Sequence, residues 1–414
     1  MTQPHYDDLE TRDPLARERA QFAALAALIE RARAQAPALA EHLAGVDARA
    51  LTGRAALARL PVLRKSELIE RQKRDFAERA PFGGLTTVKT GALARIFASP
   101  GPIYDPEGHG RDWWRTARAL YAAGFRRGDV VHNTFSYHLT PAGSMLESGA
   151  HALGCAVIPA GVGNTELQVR TIADVRPRGY VGTPSFLKII LDKAKELGAD
   201  VSSLGLALVS GEALPNALRA ELAERGVAVV QCYATADVGL IGYESLPGEG
   251  LIVDEGVIVE VVRPGTGDPV ADGETGEVVV SALNADYPLI RFATGDLSQI
   301  MPGVSRCGRT NARLRGWMGR ADQTTKVKGM FVHPAQVAEV LRRHGLARGR
   351  LVVDRDGTND VMTLRVEGTG DSAQAAAIAE TVQAVTKLRG AVAFVAPGSL
   401  PNDGKVIEDV RKHD

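Results

Sequence analysis

The sequence predicts an α/β protein: a large N-terminal α/β domain with parallel sheets, followed by a small, mobile C-terminal α+β domain. Between residues 94 and 237, short apolar runs alternate with helical segments, which is typical of βαβ units. From 251 to 300, strands separated by Gly, Asp and Pro turns indicate an antiparallel, barrel-like subdomain. A compact helix and strand pattern fills the rest of the chain. We therefore expect a large domain at 1–321, which includes the antiparallel subdomain at 251–320, and a cap domain at 322–414.

Composition limits the classes of function. The chain has 414 residues, which is too many for one ordinary core, and 45% of them are hydrophobic. Lys plus Arg and Asp plus Glu both number 49, so the net charge is zero. General nucleic-acid binders and membrane-surface binders need a basic excess, so we expect neither kind of partner.

Localisation is predicted from the N-terminus, the apolar runs and the cysteines. The acidic, polar start does not resemble a signal peptide, and no apolar run approaches the length of a membrane span. Cys155, Cys232 and Cys307 have no short pairing, which favours a reducing compartment. We expect a cytoplasmic protein with three buried cysteines, and a mixed zinc site that includes His stays open.

The helical and extended segments alternate in a clear order. Helical spacing of Leu and Ala predicts one or two helices within 13–48, and 60–63 precedes another helix start. A short strand within 94–106 is predicted to run into a Pro/Gly turn. Further predicted helices cover 112–123, 140–154, 165–175 (with Thr165 as its N-cap), 184–197, 215–225, 334–344 and 372–388. Further predicted strands cover 128–133, 155–159, 179–182, 205–212, 227–233, 257–262, 276–280, 289–292, 350–354, 362–366 and 391–395.

Polar and small residues follow several predicted parallel strands. Ligands of parallel sheets bind at the carboxyl ends of the strands, so these positions are candidate site residues. They are Ser99, Asn133–Tyr137, Gly182–Ser185, Ser210–Glu212 and Tyr233–Asp237.

The stretch from Pro288 to Pro334 lies between the two predicted domains. Pro288–Asp296 is predicted as a buried strand that ends in a Gly turn and presents a carboxylate. A charged, Gly-containing connector follows, with Arg320 and Asp322 close together. Because pockets are common at domain junctions, this stretch predicts a bound ligand there.

Six short motifs occur in order along the chain. They are Ser210-Gly211-Glu212, Tyr233-Ala234-Thr235-Ala236-Asp237, Phe292-Ala293-Thr294-Gly295-Asp296, Gly319-Arg320-Ala321-Asp322, Gly329 and Pro401-x-x-Gly404-Lys405. Their order resembles the adenylate-forming superfamily of acyl-CoA synthetases, luciferases and peptide-synthetase adenylation domains. The phenylacetate–CoA ligase family is the most similar branch. The resemblance covers the chain from about residue 60 to the C-terminus.

The resemblance implies nucleotide-binding roles for the first three motifs. The segment Ser210, Gly211 and Glu212 resembles the family's G-x-E, whose backbone lines the adenine pocket. The segment 233–237 resembles Y-G-x-(S/T)-E. It implies that the Tyr233 ring stacks on adenine, that Ala234 and Thr235 border the nucleotide, and that Asp237 helps to hold Mg²⁺. Asp296 matches the aspartate of (Y/F)-x-T-G-D, which grips both ribose hydroxyls.

The remaining motifs imply a cap that moves. Arg320 faces the nucleotide in the resembling family, and Asp322 is the hinge of a large cap rotation. Gly329 matches the glycine that lets the pantetheine arm of CoA approach. Lys405 resembles the lysine that bridges the acyl carboxylate and the α-phosphate. We therefore expect Lys405, Asp237 and Arg320 to be the catalytic residues.

One segment departs from the family pattern. Where the family has (S/T)-S-G-T-T-G-K-P, the chain has Ser99-Pro100-Gly101-Pro102-Ile103-Tyr104-Asp105-Pro106. The Thr pair, the second Gly and the Lys are absent, and two prolines remove backbone donors. Asp105 introduces negative charge where phosphate needs positive charge. Ala236 lacks the hydroxyl expected before the acid, and Asp237 is shorter than Glu.

The resemblance implies an ATP-dependent acid–CoA ligase, an AMP-forming acid–thiol ligase that uses ATP, Mg²⁺ and CoA. Its substrate would be an aromatic or similar small carboxylic acid, with Phe135, Tyr137 and His138 as candidates for the acyl pocket. Joining a carboxylate to a phosphate brings two anions together, so catalysis is mostly positioning and charge neutralisation.

Two alternatives stay open because of the altered loop. One is a divergent adenylating enzyme that loads a carrier protein in place of CoA. The other is a nucleotide- or acyl-AMP-binding protein that has lost ATP turnover. The identity of the acid is open as well, and so is a homodimer, which is common in the resembling family.

Overall fold

The computed structural model describes residues 4–76, 80–99, 103–318, 321, 323, 325–332, 334–356, 359–401 and 405–411. The chain divides into two compact units. Unit 1 comprises Met1–Thr294 and Ser298–Trp317, and unit 2 comprises Gly295–Leu297 and Met318–Asp414. The sequence-based boundary between residues 321 and 322 and the mobility of the cap stay predictions.

The helices of unit 1 begin and end where capping residues and apolar spacing favour it. For example, Thr183 accepts a hydrogen bond from the Phe186 amide at 3.4 Å, Pro184 opens the helix, and the left-handed Gly198 ends it. The α-helices are α1 Pro14–Gln35, α2 Pro37–His42, α3 Arg54–Leu57, α4 Lys65–Asp75, α5 Ala117–Ala122, α6 Ala142–Leu153, α7 Thr165–Val175, α8 Pro184–Leu197 and α9 Asn216–Glu224.

The strands of unit 1 form two large sheets and a hairpin. They are β1 Leu63–Arg64, β2 Arg95–Ser99, β3 Ile103–Glu107, β4 Val130–Asn133, β5 Ala156–Pro159, β6 Gly179–Gly182, β7 Leu206–Val209, β8 Ala228–Thr235, β9 Gly239–Tyr243, β10 Leu251–Val253, β11 Val257–Val262, β12 Gly276–Ala282, β13 Phe292–Ser298, β14 Ile300–Met301 and β15 Arg313–Leu314. β13 continues into the segment 295–297 of unit 2.

The nine-stranded sheet has the order β14-β15-β10-β9-β8-β7-β6-β4-β5. Strands β4 to β8 pair in parallel, as the alternating helices and strands predicted. The pairs β8–β9, β9–β10, β10–β15 and β14–β15 are antiparallel. The mixed α/β architecture with a parallel-containing sheet confirms the predicted fold class.

The strands of 251–320 are divided between two sheets. β10, β14 and β15 extend the nine-stranded sheet, whereas β11, β12 and β13 form a four-stranded sheet with β1. The β11–β12 pair is antiparallel, as predicted, but β1 pairs with β13 in parallel. The sequence did not indicate that these strands belong to two different sheets, because their partners β1 and β9 lie outside residues 251–320.

Two local predictions need correction. Residues 103–106, predicted to belong to a Pro/Gly turn, lie in strand β3, which pairs antiparallel with β2 and places Phe97 opposite Asp105; residues 100–102 are outside the described residues. The predicted Gly turn before Asp296 is part of a strand instead, since β13 runs through Gly295, whose φ is +74°. Glycine permits this backbone conformation without interrupting the strand.

The described part of unit 2 from residue 325 onward contains a two-stranded sheet, a four-stranded sheet and two helices. Its elements are β16 Thr325–Val327, β17 Met330–Val332, α10 Pro334–Arg343, β18 Gly349–Asp356, β19 Asn359–Glu367, α11 Ser372–Thr386, β20 Ala391–Val395 and β21 Ile407–Asp409. The main sheet has the order β20-β19-β18-β21. Val340, Leu351, Leu364 and Ile378 belong to one apolar core that joins this sheet to both helices.

Cys155 and Cys232 are buried, but Cys307 is only half-buried, which corrects the expectation of three buried cysteines. Within the described residues, no helix is long and apolar enough to cross a membrane.

Candidate active site

The site begins at the carboxyl edge of the parallel strands. Neighbouring strands β4, β6, β7 and β8 place their carboxyl ends at one edge of the sheet. The Ser210 amide donates to the Gly182 carbonyl at 3.1 Å, and the Ser210 hydroxyl donates to the Cys232 carbonyl at 2.8 Å. The predicted segments 182–185, 210–212 and 233–237 are therefore adjacent.

Gly211 lies beside this edge, between Thr183 and Phe135. Its φ is +80°, and a Cβ built on it would lie 3.8 Å from a ring carbon of Phe135. The neighbouring Glu212 accepts a hydrogen bond from the Ser185 hydroxyl at 2.6 Å. Backbone without a side chain next to a polar, hydrogen-bonded carboxylate suits the close approach of a planar ligand.

The segment 233–237 leaves β8 through an irregular pairing. The register with β9 shifts between Tyr233 and Ala234, and the half-buried Tyr233 ring packs against the apolar core. The Thr235 hydroxyl accepts from the Val238 amide at 3.2 Å, which stabilises the turn. This turn places Asp237 in a buried position with 4% of its surface exposed.

Asp237 is paired with a lysine that the sequence analysis did not identify. Lys65, at the start of α4, places its Nζ atom 2.9 Å from Asp237 Oδ2. Asp237 Oδ1 is buried and has no hydrogen-bond partner among the described residues. Lys65 lies in no motif, and only the packing of α4 brings it here, so the sequence carried no signal for this contact.

The altered loop places a second carboxyl group next to Asp237. The Ser99 hydroxyl donates to Asp105, whose side chain is completely buried. Burial and the nearby Asp237 carboxylate raise the pKa of Asp105 well above its ordinary value, while Ser99 and Lys65 oppose this shift. The neutral acid is therefore favoured, so the negative charge expected at this position is suppressed.

Two further groups define the surroundings of Asp105. Gln72 of α4 forms two hydrogen bonds with the Tyr104 backbone, at 2.7 and 2.8 Å, which fix the hairpin against the helix that carries Lys65. The Tyr287 hydroxyl is buried without a hydrogen-bond partner among the described residues. Burial, with Asp105 and then Asp237, raises the pKa of Tyr287 well above its ordinary value.

The three acyl-pocket candidates have different environments. Phe135 belongs to the apolar core that includes Trp114, and it also lies beside Gly211. The Tyr137 hydroxyl donates to Glu147 at 2.8 Å and accepts from Asn133 at 2.8 Å. His138 is exposed. Phe135 and Tyr137 are thus held in fixed positions near the sheet edge, whereas the described hydrogen bonds of His138 involve its backbone: its amide donates to the Ser136 hydroxyl and its carbonyl accepts from the Thr140 amide.

The remaining candidates lie in unit 2. Asp296 in β13 is buried, with 7% of its surface exposed, and Gly329 has a φ of +81° in the turn between β16 and β17. Lys405 is exposed and directly precedes Val406 and strand β21. Arg320 and Asp322 lie outside the described residues.

Few of the described side chains are placed to bind a metal ion. Among the described residues, no group of three or more His, Cys, Asp or Glu side chains is placed to hold a metal ion. Mg²⁺ commonly uses only one or two carboxylates and takes its other ligands from water and substrate phosphates. The unpartnered Asp237 Oδ1 atom fits that requirement.

Comparison with solved structures places the fold. The chain matches a crystal structure of 2-hydroxyisobutyryl-CoA ligase in complex with 2-HIB-AMP and CoA, with a TM-score of 0.82 and 24% identity over 99% of this chain and 93% of that one. This similarity is evidence for the fold.

Comparison with known sequences gives the family. The family described as AMP-binding enzyme matches residues 110–284. The chain is 33% identical to phenylacetate-coenzyme A ligase of Thermus thermophilus, over 78% of this chain and 75% of that protein. It is 32% identical to the Escherichia coli protein of the same name, over 71% of each chain. On this evidence, the chain belongs to the phenylacetate-coenzyme A ligase family.

Proposed function

We propose that this protein is an AMP-forming acid–CoA ligase that uses ATP to convert a carboxylic acid into an acyl-adenylate and then into a CoA thioester. The observation that carries the proposal is the 33% identity to a phenylacetate-coenzyme A ligase over 78% of the chain. The adjacent segments 182–185, 210–212 and 233–237 support it, because ligands of parallel sheets bind at such edges.

The proposed first step joins the acid to the α-phosphate. The Tyr233 ring and the backbone at Gly211 would bind the adenine, and Asp296 would bind the ribose hydroxyls. Lys405 would neutralise charge as the acyl oxygen attacks phosphorus and pyrophosphate leaves. Asp237 would hold Mg²⁺, which supplies positive charge to the phosphates. Preorganised positive charge of this kind lowers the barrier between two anions.

The proposed second step transfers the acyl group to sulfur. The thiol of CoA attacks the acyl carbon, AMP leaves, and Gly329 gives the pantetheine arm room to approach. We propose Asp322 as the hinge and Arg320 as a nucleotide contact, by their positions in the sequence. Separate steps that use one nucleotide site require conformational change between them.

The acid is proposed to be aromatic and compact. The relatives named phenylacetate-coenzyme A ligase suggest an aryl acid. Phe135 lies beside Gly211 and offers an apolar surface for a ring. We propose Phe135 and Tyr137 as pocket residues and His138 as an exposed residue at its entrance.

A two-stage assay tests this function. Pyrophosphate release is measured with ATP, Mg²⁺ and a panel of aryl and small aliphatic acids, and thioester formation is then measured after CoA is added. Lys405→Ala should abolish adenylation. Lys387→Ala is the matched control, since Lys387 is an exposed lysine of the same unit whose Nζ donates to the Ala384 carbonyl. The proposal fails if no acid supports turnover or if both variants behave alike.

The acceptor and the assembly state are tested with the same preparation. If pyrophosphate exchange occurs without thioester formation, incubation with a phosphopantetheine carrier protein distinguishes a carrier-loading enzyme from a CoA ligase. We propose CoA as the acceptor and a homodimer as the assembly. Sedimentation at several protein concentrations tests the dimer.

The buried Asp105 favours a second candidate function: binding of AMP or acyl-AMP without ATP turnover. Asp105 lies in strand β3, within the segment 99–106 that departs from the family pattern, and it is fully buried near Asp237, whose Oδ2 atom is paired with Lys65. This arrangement supplies little positive charge for β- and γ-phosphates. Calorimetry with AMP, an acyl-AMP analogue and Mg-ATP tests it, and ATP binding much tighter than AMP binding would contradict it.

A further inference from the structure

The residue directly after the predicted hinge contacts the backbone next to Lys405. Gln323 follows Asp322 in the sequence. Its Oε1 atom accepts hydrogen bonds from the Val406 amide at 2.7 Å and from the Ile407 amide at 3.4 Å. The connector and the lysine segment are therefore joined by a side chain, although 83 residues separate them.

Gln323 has an unusual backbone conformation for a residue with a Cβ. Its φ is +61°, in the left-handed region that glycine adopts far more readily. Such conformations persist when surrounding contacts hold them, and they concentrate at functional and switching segments. The two amide hydrogen bonds are contacts of that kind.

Both backbone groups of Val406 are hydrogen-bonded, and its N–H belongs to the Lys405–Val406 peptide. Gln323 binds the Val406 amide, and the Leu351 amide donates to the Val406 carbonyl at 2.9 Å. A peptide group is planar, so fixing the Val406 N–H also fixes the Lys405 carbonyl. The freedom of Lys405 is then limited to rotations about its own Cα bonds and its side-chain bonds.

Leu400 and Pro401, which precede Lys405 in the sequence, are anchored from strands β18 and β19 and from the loop before β18. The Pro401 carbonyl accepts hydrogen bonds from Arg348 and Arg350, each at 2.9 Å, and the Leu400 amide donates to Glu367 at 2.9 Å. Among the described hydrogen bonds to Leu400, Pro401 and Val406, the one from Val406 to Gln323 links this region to the connector.

The connector is also bonded to the strand of the ribose-binding candidate. The Ala321 amide donates to the Gly295 carbonyl at 2.6 Å, and the Met318 amide donates to the Leu297 carbonyl at 2.9 Å. These two carbonyls flank Asp296. Met318 and Ala321 therefore contact the strand that contains Asp296, and Gln323 contacts the backbone that follows Lys405.

We propose that Gln323 is a positioning residue that fixes Lys405 relative to the hinge, so that adenylation depends on it and thioester formation does not. This inference rests on the proposed function, in which Lys405 acts only in the first step. Removing the amide acceptor would release the Lys405–Val406 peptide from the connector without removing the lysine.

Separate half-reactions test this proposal. Gln323→Met removes the acceptor with little change in side-chain size, and Gln323→Glu keeps an acceptor oxygen. Adenylation is measured by exchange of labelled pyrophosphate into ATP, and thioester formation is measured from supplied acyl-adenylate and CoA. We expect Gln323→Met to slow adenylation about tenfold to hundredfold, as misplaced catalytic groups do, and to leave thioester formation within about twofold. Gln323→Glu should restore most of the loss.

Gln336→Met is the matched control. Gln336 donates to the Val385 carbonyl at 3.0 Å in the same unit, so its loss removes a comparable side-chain contact elsewhere. Hydrogen exchange adds a readout that needs no turnover: the Val406 and Ile407 amides should exchange faster in Gln323→Met than in Gln336→Met.

The possible outcomes separate this inference from the proposed function. Equal adenylation by the Gln323→Met variant and the wild type, or an equal fall of both half-reactions, overturns the inference. Unchanged amide exchange at Val406 overturns it as well. A wild-type protein that catalyses neither half-reaction refutes the proposed function instead, and amide exchange then decides alone whether Gln323 holds the lysine segment.

Discussion

Arg291→Met should be among the most destabilising single changes in unit 1. The Arg291 side chain is 2% exposed, and its Nε and Nη2 atoms contact both Glu260 carboxylate oxygens at 2.9 and 3.1 Å. Its remaining N–H groups donate to the carbonyls of Ala58, Leu60 and Gly267 at 2.6 to 2.8 Å. The guanidinium of Arg291, the residue directly before strand β13, thus joins three other segments: 58–60, β11 and the turn at 267.

The expected loss of folding stability follows from the buried groups that lose their partner. Methionine fills most of the volume, but Glu260 stays 4% exposed with its bidentate partner gone, and three carbonyls lose their donor. Breaking a buried ion pair from one side typically costs about 3–5 kcal/mol. Burial already raises the pKa of Glu260, and Arg291 lowers it. The variant should therefore protonate Glu260 more readily and lose less stability at pH 5 than at pH 8.

Urea unfolding at both pH values measures the effect. A second variant, Arg291→Met with Glu260→Leu, removes both charges and should recover about 1–3 kcal/mol of the loss. The control is Arg170→Ala, which removes an ion pair with Glu166 whose side chains are 67% and 57% exposed and should cost less than about 1 kcal/mol. A loss below about 1 kcal/mol for Arg291→Met, or a double variant no more stable than the single one, would refute this reasoning.

Three further predictions use other buried groups. Burial raises the pKa of Asp112 to about 6, so its contribution to stability is complete below about pH 3.8 and is lost as the pH rises through about 6. Asp112→Asn should flatten this pH dependence of stability, measured by thermal unfolding, and add about 2 kcal/mol at pH 7. Gly182→Ala should cost about 1–3 kcal/mol because its Cβ would overlap the Thr134 hydroxyl, whereas Gly205→Ala, with open space around it, should be near neutral by the same measurement. Ser210→Ala should cost about 1 kcal/mol in urea unfolding, through the lost hydrogen bond to strand β8, and should weaken AMP binding measured by calorimetry.

Local chemistry explains which elements could be predicted from the sequence. Helix Pro184–Leu197 and strand Val257–Val262 have the predicted bounds, because caps and apolar runs define them without help from distant residues. Asn164, in place of the predicted Thr165, occupies the N-cap of α7, and it makes no side-chain cap hydrogen bond. Strand Gly239–Tyr243 was not predicted, because its two glycines weaken the strand pattern and its pairing with β8 is a tertiary effect.

In the candidate site as well, residues in local motifs could be predicted, whereas residues brought in by tertiary packing could not. Ser210, Tyr233 and Asp237 could be identified in advance because each lies in a short motif at a strand end. Lys65 and Tyr287 could not, because each is a single residue without a motif; folding alone brings Lys65 into contact with Asp237 and Tyr287 near Asp105. Motif spacing identifies residues that act together along the chain, but it carries no information about a partner that packing supplies.

The effect of replacing a family residue with Asp105 depends on the groups that surround Asp105 in the fold. From the sequence alone, an acidic residue within the segment that binds phosphate in the family predicts repulsion of the phosphate groups. In the fold, the Asp105 carboxyl group accepts a hydrogen bond from Ser99 and is fully buried. Its raised pKa favours the neutral acid, and Lys65 supplies a cation to Asp237 from a different element. The change therefore alters hydrogen bonding and space at this site more than it alters charge. A test of nucleotide preference should accordingly compare Asp105→Asn, which keeps the shape, with Asp105→Ala, which opens space.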